Sequence, residues 1–116
     1  MADGCLFCGI VAGDVDARIV ARADGVVAFE DVSPQAPVHV LVVPEDHMSS
    51  LEEAGDEDEP ILGRLLLTAA GIARQRGIAD SGYRVAMNCN EEGGQTVYHA
   101  HLHLIGGEPL GGRLRG

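Results

Sequence analysis

The chain has 116 residues, 46% of them hydrophobic, and a formal net charge of −10. That is enough chain for one compact domain with a buried core, and too acidic a chain for non-specific binding to a nucleic-acid backbone. No apolar run reaches the length of a membrane span and the start "MADGCLF" lacks the basic flank and apolar block of a secretory signal, so the expectation is a cytoplasmic protein with neither membrane nor nucleic acid as partner.

Read in chain order, "CLFCGIVAGD" has the apolar spacing of a short helix that ends near Gly13. "RIVARADGVVAFED" (18–31) reads as two strands joined at Asp24-Gly25, a strong hairpin signal. The prolines of "SPQAP" interrupt the pattern, and "VHVLVVP" (38–44) is a dense β-branched run that predicts a strand buried on at least one face. Ser49 or Ser50 is placed to cap a short helix at "SLEEA". The stretch "EEAGDEDE" (52–59) holds six of the eighteen acidic residues, a solvated patch that also suits a helix start.

A long helix is predicted from about Asp58 to Arg76, because Ile61, Leu62, Leu65, Leu66, Ala69, Ala70 and Ala73 recur at helical spacing and Gly77 follows. "GYRVAMN" (82–88) alternates as a strand, "EEGG" (91–94) is a turn, and "YHAHLHLI" reads as the last strand before a Gly-rich, irregular tail. The prediction is an α+β fold: an antiparallel sheet of about five strands with one long and one or two short helices, forming a single domain over residues 1–116.

The chemistry concentrates in "GGQTVYHAHLH". Strand periodicity would turn His99, His101 and His103 to one face and Ala100, Leu102 and Leu104 to a core. Imidazoles in register can bind a metal or attack phosphorus, with neighbours as donors. The glycines ahead of them expose backbone N–H groups, and Gln95, Thr96 and Asn88 add neutral donors that can cradle an oxyanion. Unaided, Asp31 reads as a solvated turn residue, and Phe7 and Phe29 as core. "CLFC" is ambiguous between a redox pair and half of a zinc site; a thioredoxin-like context is missing, and a zinc site needs two further ligands, for which His47 and His99 are available. The third cysteine, Cys89, reads as a plain thiol.

"HAHLHLI" follows the His-φ-His-φ-His-φ-φ pattern of the histidine triad (HIT) nucleotide-binding family. "AFEDVSPQAPVHVLVVPEDHMSSL" and "GYRVAMNCNEEGGQTVYHAHLHLIGG" resemble its HINT-like branch, the purine nucleoside phosphoramidases, so that the likeness runs from Cys5 to about Gly107. The resemblance implies a HIT-like fold, a homodimer formed through the long helix and a strand, and a purine nucleotide substrate. It implies hydrolysis at the α-phosphate of nucleoside 5′-phosphoramidates or acyl-nucleotides, with His101 as nucleophile and a covalent nucleotidyl-histidine. His103, Asn88, Thr96 and the backbone from Gly94 through Gln95 to Val97 would surround the phosphate, with His39 as a fourth histidine of the site. Asp31 would bind the ribose hydroxyls, and Leu6, Phe7, Ile10, Val15, Phe29 and Val32 would line the base pocket. In zinc-containing bacterial members Cys5, Cys8, His47 and His99 match the ligands of a structural zinc. Glu30 stands where that branch often has histidine, and the tail "EPLGGRLRG" has no tryptophan where many members carry one, so the resemblance does not carry over a choice of leaving group. Two alternatives remain open: a Fhit-like dinucleoside polyphosphate hydrolase, and a non-enzymatic, zinc-stabilised nucleotide-binding module.

Overall fold

A computed structural model describes residues 4–112. Its α+β architecture is a five-stranded antiparallel sheet in the order β1-β2-β3-β5-β4, with one helix on each face. The elements are α1 (Leu6–Ala12), β1 (Ile19–Ala23), β2 (Val26–Glu30), β3 (Val38–Pro44), α2 (Glu59–Gln75), β4 (Tyr83–Ala86) and β5 (Leu102–Gly106). Among the described residues no helix is long and apolar enough to cross a membrane.

Local chemistry explains the boundaries. α1 ends at Gly13, whose left-handed φ of 85° lets its N–H reach back to the carbonyls of Gly9 and Ile10. Asp24 and Gly25 take φ of 56° and 81°, the two-residue turn whose twist matches a hairpin. α2 starts with Pro at its first turn and stops before Gly77, as its spacing predicts.

β3 lies at the centre and all seven of its residues are buried, because both faces of the sheet are covered. Val38, Val40 and Val42 join Val26, Ala28, Leu102 and Leu104 against Leu65, Ala69, Ile72 and Ala73 of α2. Leu41 and Val43 join Val27 and Phe29 against Phe7 and Ile10 of α1. Strand parity thus separates a purely apolar core under α2 from a face under α1 on which His39 and His103 also lie, since His103 pairs with Leu41 and His39 with Ile105.

Three expectations need correction. The predicted helix at "SLEEA" is a single 3-10 turn, Leu51–Glu53, and neither Ser49 nor Ser50 caps it through a side chain. The last strand begins at Leu102, so His99 and His101 lie in the irregular segment that enters it. There the N–H of Ala100 is bonded to the carbonyl of Met48 (2.6 Å), a loop group, and not to a neighbouring strand. β4 stops at Ala86, paired with His103, because the strand it would follow toward residue 88 does not exist before Leu102. The tail is irregular as far as Gly112; residues 113–116 of that expectation lie outside the described residues.

Candidate functional site

The loop from Asn88 to Tyr98 delivers the triad. It is closed by Gly94 N–H to the carbonyl of Glu91 (3.0 Å) and Gln95 N–H to that of Asn90 (3.1 Å). The two glycines are not interchangeable. A Cβ on Gly93 would collide with the carbonyl oxygen of Cys89, while Gly94 adopts a φ of +85°. Gln95 is buried, and its side chain braces the loop: it donates to the carbonyls of Ser49 (2.7 Å) and Val97 (3.0 Å) and accepts from the N–H of Asn90 (2.9 Å).

All three triad histidines are enclosed, which alternation alone does not reveal: His99 is 0% and His101 5% exposed, and His103 is half-buried. A neutral imidazole has one N–H and one lone pair, so a partner that can only accept, or only donate, decides which nitrogen is which. Nδ1 of His101 lies 2.8 Å from the carbonyl oxygen of His99. It therefore carries the proton, and Nε2 keeps a free lone pair. Nε2 of His99 lies 2.7 Å from the carbonyl oxygen of Pro44, so it donates there and leaves Nδ1 as the lone-pair nitrogen.

His39 is set by the opposite kind of partner. The N–H of Gln35 donates to its Nδ1 (3.1 Å), so Nε2 holds the proton and donates to Nδ1 of His103 (2.9 Å), with a carboxylate oxygen of Asp31 3.4 Å away. His103 thus receives at Nδ1 and keeps its own N–H at Nε2. The Asp31–His39–His103 group brings potential metal ligands together. Its hydrogen bonding opposes that use, because a ligating His39 would have to turn an Nδ1–H against the Gln35 N–H. It is a proton-ordered relay.

His101 and His103 line a cavity of about 410 Å³ that Leu6, Phe7, Ile10, Val15, Phe29, Asp31, Val32, Thr96 and Val97 also line. Eleven residues expected at a nucleotide site are therefore brought to one wall, apolar at one end and bearing donors and a carboxylate at the other. His39 stands behind His103, and Gly94 and Gln95 stand behind the wall as loop scaffold. Asn88 is half-buried beside Gly94, and continuing the β4–β5 register would set it opposite His101. Asp31 is no free turn residue: its other carboxylate oxygen accepts from the N–H of Ser33 (2.8 Å). The sequence reading missed Asp16, Ala17 and Leu41, which also line the cavity, as does Glu30, the position where the HINT-like branch often has histidine. Leu41 was recoverable from its shared parity with His39; Glu30 is held by Arg76 at the end of α2, a pairing across 46 residues that carries no local signal.

A second cluster flanks the first. Sγ of Cys5, Sγ of Cys8, Nδ1 of His47 and Nδ1 of His99 all lie within 4.8 Å of one another. Nδ1 of His99 is 3.5 Å from Cys5 Sγ and 3.4 Å from Cys8 Sγ, and Nδ1 of His47 is 3.3 Å from Cys8 Sγ. A tetrahedral zinc with ordinary Zn–S and Zn–N bonds sets sulfur and nitrogen about 3.5 Å apart. The donors fit that ion, and the freed Nδ1 of His99 with its Nε2–H on a carbonyl is the arrangement a metal-binding imidazole needs.

Burial shapes the electrostatics. It holds the pKa of His101 below its ordinary 6.5, against the opposing pull of the His99 carbonyl and the Asp31 charge. His99 is lowered for the same first reason, and His103 is pushed down to about 4 by burial and then by His101 and His39. All three are neutral at pH 7.

Comparison with known proteins gives a consistent neighbourhood. A family model described as the HIT domain matches residues 12–110. A purine nucleoside phosphoramidase from Escherichia coli (strain K12) is 46% identical over 114 residues, 98% of this chain and 96% of that one. The crystal structure of a HIT family hydrolase from Legionella pneumophila superposes with a TM-score of 0.90 at 40% identity, covering 91% of this chain and 95% of that one. A zinc-bound histidine triad family protein from Mycobacterium smegmatis superposes with a TM-score of 0.76 at 30% identity, over 88% and 73% of the two chains.

The depressed histidines carry a stability consequence. An unfolded chain binds protons at these sites below pH 6.5, whereas folded His103 resists until about pH 4. The contribution of His103 is fully present above pH 6.5 and is lost as pH falls from there toward 4. Urea unfolding across that window should show stability falling with acidification, and His103→Asn should flatten the slope. An unchanged slope in that variant would refute the assignment.

Proposed function

The chain belongs to the HIT domain family, and from that premise we propose that it is a nucleotide-binding hydrolase acting on the α-phosphate of purine nucleoside 5′-phosphoramidates or acyl-nucleotides. The observation that carries this reading is the hydrogen bond from Nδ1 of His101 to the carbonyl of His99. It leaves a neutral, unprotonated Nε2 on the wall of a nucleotide-sized cavity. The E. coli relative, a purine nucleoside phosphoramidase, supports the substrate class.

In this reading the base lies between Phe7, Phe29, Ile10 and Val15, and Asp31 accepts from the ribose hydroxyls. Phe7 and Phe29 meet edge to face at 5.2 Å and together form an apolar stretch of the cavity wall. Nε2 of His101 attacks phosphorus, the P–N bond breaks and the nitrogen leaves as the amine, taking up a proton from solvent. Water then attacks the nucleotidyl-His101, the N–P bond to the imidazole breaks, and the nucleoside monophosphate departs. His103 donates its Nε2–H to a phosphoryl oxygen, held for that task by His39 behind it. Asn88, Thr96 and the Gly94–Val97 backbone supply further neutral donors, which suits a chain where fixed cations are scarce.

Cys5, Cys8, His47 and His99 would hold a structural zinc. Bound there, it would tie α1, which brings Leu6 and Phe7 to the pocket, to the segment that carries the nucleophile. The chain is also read as a cytoplasmic homodimer. β4 is an open sheet edge with Tyr83 and Val85 exposed, and Leu66 and Leu67 of α2 are 50% and 60% exposed.

His101→Ala should lower turnover of an adenosine phosphoramidate by about ten-thousand-fold or more, as loss of a covalent nucleophile does. Binding of AMP, which rests on the pocket walls, should stay within about threefold. A variant that keeps a sizeable share of turnover would remove His101 as nucleophile; His101→Gly with free imidazole should recover part of the rate. Elemental analysis of freshly purified, unchelated protein should find about one zinc per chain, and metal-free protein would sink that assignment. Light scattering at micromolar concentration should give twice the 12.1 kDa chain mass, and a monomer would refute the dimer.

A further inference from the structure

We infer that the Cys5–Cys8–His47–His99 cluster sets the chemistry of the nucleophile by clamping one peptide group, the one between His99 and Ala100, with His99 and Met48 as positioning residues. The inference rests on His101 being the nucleophile.

That peptide group is bonded at both ends. Its carbonyl accepts from Nδ1 of His101 at 2.8 Å, and its N–H donates to the carbonyl of Met48 at 2.6 Å. Each end leads to the ligand cluster. His99 contributes the carbonyl from its own backbone, and its ring is fixed at two points: Nε2–H on the carbonyl of Pro44, and Nδ1 facing both cysteine sulfurs. Met48 follows His47, so the acceptor of the Ala100 N–H is tied to the cluster's fourth ligand.

The two cysteines reach the same place by a third route. They bracket α1's Phe7, whose ring meets that of His101 at 5.0 Å and 87°, and that of His99 at 6.1 Å. A ring plane packed on His101 and a carbonyl aimed at its Nδ1 together leave one orientation and one tautomer. With the ligands released, the ring of His99 loses its tie at Nδ1, keeping the Pro44 carbonyl and its packing on Phe7, and the loop of His47 and Met48 is free to shift. The carbonyl then no longer compels the proton onto Nδ1, and a His101 with its proton on Nε2 has no lone pair to offer phosphorus.

This makes the cluster more than a staple for the fold, and the two roles predict different data. The test is the tautomer itself, read from long-range ¹H–¹⁵N correlations of the imidazoles in ¹⁵N-histidine-labelled protein. It is recorded on zinc-loaded protein, after chelation, and after zinc is returned, with far-UV circular dichroism, turnover and AMP affinity alongside. The zinc-loaded protein should show His101 protonated at Nδ1 alone. Chelated protein should show both tautomers, with turnover lower by about tenfold or more and AMP affinity within about threefold; zinc should restore both signals together.

If chelation unfolds the protein, His47→Ala takes its place, because His47 is exposed and its loss leaves the buried ligands and the core intact. It should shift the tautomer and turnover in the same direction with the dichroism unchanged. A folded protein whose His101 stays protonated at Nδ1 without the metal, or in His47→Ala, overturns the inference whatever happens to its rate. A zinc-loaded protein with the proton on Nε2 would instead overturn His101 as nucleophile, so the two failures are distinguishable.

Discussion

A buried imidazole has two nitrogens and one proton, and in this protein the backbone decides where each proton goes. Carbonyls of His99 and Pro44 take the N–H of His101 and His99, while the N–H of Gln35 takes the lone pair of His39. Those three bonds sort four histidines into distinct jobs. One ring points a lone pair into the cavity, one points it toward the Cys5–Cys8–His47 group, and two pass a hydrogen bond from His39, behind the cavity, to His103 on its wall. Residue identity alone supplies four equivalent bases. The assignment comes from main-chain groups that stay in place because they belong to β3, to the turn that precedes it and to the approach to β5.

The sheet makes this precision affordable. Each strand of the hairpin β2–β3 is buried on both faces, and parity sends the two faces to different ends. The α2 face is valine, leucine and alanine, with no polar group to satisfy. The α1 face intersperses its apolar residues with His39 and His103, each of which has hydrogen-bond partners. Stability drawn from the first face allows the second to hold imidazoles away from water, and the depressed pKa of His103 is the mark of that burial.

What the sequence reveals and what it hides follow the same division. α2, the Asp24-Gly25 hairpin and β3 were legible because local periodicity and turn chemistry decide them. The candidate pocket was legible through resemblance, residue by residue, and the cavity gathers most of that set. The early end of β4 and the late start of β5 were not legible. Both follow from Ala100 giving its N–H to Met48 instead of to a strand, a bond between residues 52 positions apart. The His39–His103 hydrogen bond, across 64 positions, depends on the register of β3 against β5, which no composition rule specifies. Gln95 shows the limit of reading residue types: an amide beside a phosphate-binding loop suggests a ligand contact, and its polar atoms are spent holding the loop closed.

Why the first histidine of the triad should serve the cysteines and not the substrate follows from geometry. Strand-like alternation puts side chains of residues i and i+2 on one side, close enough to share a site. Here the chain leaves the sheet at that point, so the rings of His99 and His101 can serve neighbouring sites while the backbone between them stays common to both. A ligand placed two residues before a nucleophile reaches it through two peptide groups, with few rotatable bonds between. An ordinary buried side chain at 99 would fill the same volume but could not be held from both ends of its ring. The spacing that lets three histidines look alike in sequence is what lets the first one hold the second.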